Sequence, residues 1–101
     1  MEPIYLDYNA TTPIAPEVVD AMLPYLREHF GNPSSSHVYG WEALGAVGDA
    51  RTQVASLLGC SPEEIVFTSG GSESNNHAIR GVIEARREHG NHVITCQVEH
   101  P

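Results

Sequence analysis

Glu64-Ile65-Val66-Phe67-Thr68-Ser69-Gly70-Gly71-Ser72-Glu73-Ser74-Asn75-Asn76 sets the architecture of this chain. Ile65, Val66 and Phe67 form a short apolar run of the β-branched and aromatic kind that suits a buried strand. Thr68 to Ser72 are small and polar, and a helical pattern starts directly behind them. Ala78, Ile79, Val82 and Ile83 make one narrow apolar face of that helix, and Gly90 is expected to close it. Strand, small-residue turn and helix start together make a seat for a phosphate group. Glycine lets the backbone approach an anion closely. The N–H groups of the first helical turn have no intrahelical partner, and the helix dipole adds a partial positive charge.

Downstream, His92 to Val98 reads as a second buried strand, with Cys96 as a small buried hydrophobe. Strand, helix and strand give one right-handed β-α-β unit with parallel strands. The fold class is therefore α/β, with helices plus one β-α-β unit of a mostly parallel sheet. Such sheets are normally covered on both faces and built from more strands, so the unit is incomplete as a domain. A strand that meets Glu99-His100-Pro101 three residues later is expected to be cut rather than ended.

Upstream, Ile4 to Asp7 reads as extended and Asn9-Ala10-Thr11-Thr12-Pro13 as a polar turn. Pro16 opens a helix whose apolar side holds Val18, Val19, Met22, Leu23, Leu26 and Phe30. Pro24 falls inside it and is expected to kink it or to start its end. Gly31 to Ser36 is loop by composition. A longer helix follows from about Val38 to Leu58, with Trp41, Leu44, Val47, Val54, Leu57 and Leu58 as its stripe and Gly59 as its C-cap. Gly45 and Gly48 inside this helix point to close packing against another backbone. Ser61-Pro62-Glu63-Glu64 is a capping-box pattern for a single helical turn.

Composition excludes several classes. The 101 residues allow one small domain at most, and 41% apolar content is ordinary for a globular protein. The net charge of −8 argues against nucleic acid and against anionic membrane surfaces as partners. No apolar run is long enough for a membrane span, and Met1 to Asp7 does not read as a secretory signal. Cys60 and Cys96 are too few for a disulfide framework, and a cytoplasmic location is expected. The five basic residues are all arginine, with no lysine anywhere.

Without lysine, the turn at Gly70-Gly71-Ser72 is not a P-loop, and it lacks the Gly-x-Gly-x-x-Gly spacing of a dinucleotide site. Taken alone it is equally a plain strand-to-helix turn with Ser72 as N-cap. Three further blocks change the balance: Tyr5 to Pro13, Gly31-Asn32-Pro33-Ser34-Ser35-Ser36-His37, and Val98-Glu99-His100-Pro101. With Phe67 to Asn76, in this order and at these intervals, they closely resemble the N-terminal part of cysteine desulfurases. These are pyridoxal 5'-phosphate (PLP) enzymes of the class V aminotransferase group, fold type I. The resemblance covers essentially the whole chain.

The resemblance implies an N-terminal arm, helix and loop over residues 1–35 and the start of the large PLP-binding domain over 36–101. It implies that Gly71 and Ser72 hold the cofactor phosphate, with Ser72 standing where threonine is usual. It implies that His100 stacks on the pyridine ring and serves as the catalytic proton carrier, and that Ala10 lines the substrate side of the pocket. The reaction it implies converts L-cysteine to L-alanine, passing sulfur to an enzyme persulfide for iron–sulfur cluster assembly or other transfer pathways. A homodimer and a downstream sulfur-acceptor protein are the implied partners. His77 departs from the family's apolar residue and is read as a structural histidine. Cys60 is not taken as the persulfide cysteine, which in the family lies on a loop far downstream. A metal site from His89, His92, Cys96 and His100 matches no standard ligand spacing, and none is assigned.

The family's Schiff-base lysine and catalytic cysteine are absent from these residues, so the chain alone is expected to be inactive and poorly folded. Two alternatives remain open. The chain could be a non-catalytic or split-enzyme module, or a piece of another class V enzyme such as a selenocysteine lyase.

Overall fold

Helix Pro16–Arg27 (α1) begins where proline at the first position costs no hydrogen bond, because that N–H would be unpaired in any case. The computed structural model describes residues 3–98, which divide into two units, residues 3–65 and 66–98. Within the first unit, α1 passes through Pro24 and stops one turn later. The amides of Glu28 and His29 both donate to the Pro24 carbonyl, at 2.8 and 3.0 Å, which closes the helix end. Proline thus marks the approach of the end, as expected, and Phe30 falls outside the helix.

Helix Val38–Leu58 (α2) has the expected bounds. His37 caps its start: the Gly40 amide donates to His37 Nδ1 at 3.4 Å. Gly59 ends it in the left-handed conformation (φ 71°), which glycine adopts without a Cβ penalty. A 3₁₀ turn at Pro62–Glu64 then packs on α2. The Ser61 amide donates to the Glu64 carboxylate at 2.8 Å, and an Arg51 guanidinium N–H donates to the Ile65 carbonyl, tying the exit from this turn back to α2. Ala43, Ala55 and Ile65 are the buried apolar residues here.

The close packing expected at Gly45 and Gly48 lies elsewhere. A Cβ at either position would meet nothing within 4 Å. The tight contacts are at Gly31, where a Cβ would fall on the Tyr39 carbonyl, and at Gly40, where it would fall on Ser35 and Asn32. The Gly31–His37 loop is folded over the first turn of α2. The Asn32 side chain accepts from the Ser34 amide and its carbonyl from the Ser35 amide, both at 2.9 Å. The Phe30 ring stacks on Tyr39 with centroids 6.1 Å apart.

The second unit carries helix Gly71–Ala85 (α3). Its start differs from the sequence expectation by two residues: Gly70 is the N-cap, and Ser72 is already helical. Its end falls at Ala85, short of Gly90, because Arg86 to His89 continue as turns. The β-α-β unit is not formed among the described residues: the helix is present and no strand flanks it. A strand exists only through its ladder, and two parallel runs with no further neighbours are marginal. Val93 and Ile94 instead lie across an apolar groove of about 450 Å³ from Ile79, Val82 and Ile83 of α3. Cys96 is exposed rather than buried, for the same reason.

Candidate functional site

The turn from Thr68 to Ser74 is stitched together by its own side chains. The Ser69 amide and the Ser69 hydroxyl both donate to Glu73 Oε2, each at 2.7 Å. The hydroxyls of Thr68 and Ser74 share a hydrogen bond of 2.6 Å, and the Thr68 hydroxyl also reaches the Gly70 carbonyl at 3.3 Å. One turn on, the Asn76 side-chain amide donates to the Ser72 carbonyl at 2.9 Å. The first backbone bond of α3 runs from the Ser74 amide to the Gly70 carbonyl, at 3.0 Å.

This arrangement sorts the polar groups. Of the hydroxyls at Thr68, Ser69, Ser72 and Ser74, those of Thr68, Ser69 and Ser74 are engaged within the turn. Ser72 Oγ has no hydrogen bond to the described residues, and neither do the amides of Gly71 and Ser72. A Cβ on Gly70 or Gly71 would meet nothing within 4 Å, so the space before the helix is open. A hydroxyl and first-turn amides at a helix start are donors suited to a phosphate, and PLP carries one. These residues therefore fit the cofactor's phosphate end.

Electrostatics at the turn centre on Glu73. Its carboxyl is held below the ordinary carboxylate value, first by the Ser69 hydroxyl and then by the Ser69 amide, with a smaller contribution from the charge of His77. An acidic residue in the first turn of a helix also complements the dipole. His77 is exposed on α3 one turn beyond Glu73, and its charge adds to the lowering of this carboxyl. Ser69 and Glu73 were not singled out from the sequence. A serine ahead of a helix with a glutamate four positions later was the signal to look for.

Ala10 belongs to the first unit. The Ala10 and Thr11 amides donate to the Asp7 carbonyl at 3.0 and 3.5 Å. The Tyr5 hydroxyl spans this turn, lying 2.9 Å from the Asp7 carbonyl and 3.2 Å from that of Thr11. Ala10 is exposed on it. His100 lies outside the described residues. Cys60 is half-buried just past the end of α2, its amide donating to the Ala55 carbonyl at 3.0 Å. No helix among the described residues is long and apolar enough to cross a membrane.

Comparison with known proteins bears on this geometry. The family described as aminotransferase class-V matches residues 4–101. A cysteine desulfurase of Homo sapiens is 55% identical over 101 residues, which cover 99% of this chain and 22% of that protein. Among solved structures, one titled "SspA in complex with cysteine" superposes with a TM-score of 0.81 at 47% identity, covering 95% of this chain and 28% of its own. A NifS-like protein superposes with a TM-score of 0.77 at 42% identity, covering 84% of this chain and 23% of its own. The chain thus spans about a fifth of the length of the curated relatives it matches.

Proposed function

This chain belongs to the class V aminotransferase family, and from that premise we propose that it is the N-terminal portion of a PLP-dependent cysteine desulfurase. The parent enzyme converts L-cysteine to L-alanine and passes the sulfur to an enzyme persulfide, for iron–sulfur cluster assembly or another transfer pathway. The observation that carries this is the single unengaged hydroxyl of the turn, Ser72 Oγ, beside the unpaired amides of Gly71 and Ser72 at the start of α3. When bound, PLP supplies an electron sink for the substrate amino acid.

The residues of this chain then have distinct tasks. Gly71 and Ser72 bind the phosphate through backbone N–H groups, and Ser72 adds its hydroxyl. With PLP bound, His100 would pack on the pyridine ring and would carry a proton to or from the substrate, a task that imidazole chemistry suits. Ala10 borders the substrate on the turn that Tyr5 holds. Residues 1–35 form an arm, helix and loop, and residues 36–101 open the PLP-binding domain. In the complete fold type I sheet, the runs at 65–67 and 92–98 become parallel strands, and the phosphate turn lies at a strand's C-terminal edge, where such sheets bind ligands. The parent works as a cytoplasmic homodimer that delivers sulfur to an acceptor protein.

The test is to express the complete polypeptide and measure alanine and sulfide formed from L-cysteine with PLP and a reductant. Equal yields of the two products are expected, with loss of PLP affinity in Ser72→Ala. Turnover of selenocysteine with none of cysteine would make the parent a selenocysteine lyase. Absence of any turnover in a PLP-loaded protein would leave a non-catalytic module.

A further inference from the structure

We propose that Glu73 is a positioning residue of the phosphate seat: by holding the amide and the hydroxyl of Ser69, it confines the anion to Gly71 and Ser72. The inference rests on the proposed function, because it takes the anion to be the phosphate of PLP.

The turn offers an anion more donors than one phosphate needs. Ser69 brings an N–H and an O–H just ahead of the helix, and Gly71 and Ser72 bring two N–H groups and an O–H inside it. Left unpaired, the Ser69 donors would form a second seat shifted along the chain, and the cofactor could settle in either register. Glu73 removes that choice. One carboxylate oxygen takes both Ser69 donors at 2.7 Å, close to the length of charge-assisted hydrogen bonds. The same carboxylate places a negative charge beside the unwanted seat, which repels a phosphate there. Thr68 and Ser74 satisfy each other at 2.6 Å, leaving Ser72 as the only hydroxyl of the turn without a partner among the described residues. The lowered pKa of Glu73 keeps the clamp ionised through the neutral range.

Side-chain length is the sensitive variable. Aspartate at this position keeps the charge and suits the first turn of a helix, but it is one methylene too short to reach Ser69. Glutamine keeps the reach and one acceptor oxygen, but loses the charge.

The experiment uses the complete protein, with Glu73→Asp, Glu73→Gln and Glu73→Ala compared with the parent. Two properties are read: the dissociation constant of PLP from the reconstituted protein, and the pH profile of the bound cofactor's phosphorus-31 resonance. Glu73→Asp and Glu73→Ala are expected to bind PLP about tenfold more weakly, with a displaced phosphorus resonance. Glu73→Gln is expected to stay within about threefold of the parent, with an unshifted resonance. A residue that merely stabilises the helix would lower the melting temperature and leave the resonance in place. Glu73→Asp is the decisive variant should Glu73→Ala fail to fold. Parent-like affinity and resonance in Glu73→Asp overturn the inference and leave the proposed function standing. Failure of the unmodified complete protein to bind PLP overturns both.

Discussion

The carbonyl oxygen of Asn32 stands 2.8 Å from the point where a Cβ on Gly40 would lie, and the Ser35 carbonyl is closer still. The loop from Gly31 to His37 therefore closes on α2 backbone to backbone. Gly31 makes the reciprocal approach to Tyr39. Gly40→Ala should force this loop off the helix. The expected loss is about 1–3 kcal/mol, the usual penalty for overfilling a packed site. Denaturant unfolding of the complete protein measures it. Gly45→Ala is the control: a Cβ there meets nothing, so the helix should gain up to about 1 kcal/mol. A destabilised Gly45→Ala would mean that another element covers that face in the complete protein.

The Tyr5 hydroxyl bridges the carbonyls of Asp7 and Thr11 across the turn that carries Ala10. Tyr5→Phe keeps the ring and its edge contact with Tyr8, at 5.1 Å between centroids, and removes only the bridge. The loss should be about 1 kcal/mol and local. Hydrogen exchange at the Ala10 amide, which donates to Asp7, should quicken roughly fivefold while exchange in α2 stays unchanged. Equal acceleration in α2 would show that the bridge supports more than its own turn.

Glu73 predicts a pH dependence with a definite sign. Its carboxyl sits below the ordinary 4.5 because the ionised form accepts from the Ser69 hydroxyl and amide. A depressed carboxylate stabilises the folded turn fully above the unfolded-state value, and that contribution is lost as pH falls through the lowered one. In the apo form of the complete protein, the Glu73 side-chain carbon and the Ser69 amide should titrate together, with a midpoint under 4.5. His77→Ala should raise that midpoint, since the histidine charge helps to lower it. Independent titration of the two nuclei would contradict the clamp.

His29 and Glu42 meet at 3.4 Å with side chains 43% and 51% exposed. A pair this open should contribute less than about 1 kcal/mol and weaken with salt. Glu42→Gln should therefore leave the melting temperature nearly unchanged at 0.5 M salt. A large loss there would mean that the pair is buried in the complete protein.

What was legible in the sequence was local. The α2 stripe runs at helical period, and Gly59 terminates it, so both ends could be named. The opening of α3 was legible to within two residues from the glycines and serines. Gly40 was not, because its constraint comes from the carbonyls of a loop whose fold the sequence pattern does not display. Gly45 and Gly48 drew notice as costly helix residues, although the backbone contact is at Gly31 and Gly40. The runs at Ile65–Phe67 and His92–Val98 have strand composition, but a ladder depends on neighbours that composition does not supply. At the candidate site the anion donors were legible as a pattern, whereas the capture of Ser69 by Glu73 depends on how the turn folds in space.

The 101 residues by themselves should not fold cooperatively. The buried apolar residues among those described are Ala43, Ala55 and Ile65, two of which bring a single methyl each. Burial gives about 0.8 kcal/mol per methylene, against about 1–2 kcal/mol to order each residue's backbone. The large side chains stay out: Ile94 is 86% exposed, Leu57 84% and Phe30 78%. Local hydrogen bonds and the cap at Gly59 hold helical turns but not a core, and short isolated helices are marginal in water. The isolated chain at micromolar concentration should show partial helicity by far-UV circular dichroism, a broad non-cooperative melt, and strong binding of a hydrophobic dye. It should also produce no sulfide from cysteine and PLP above the protein-free rate, since it has no lysine to anchor the cofactor. A sharp sigmoidal melt without dye binding would show that these helices find a core of their own.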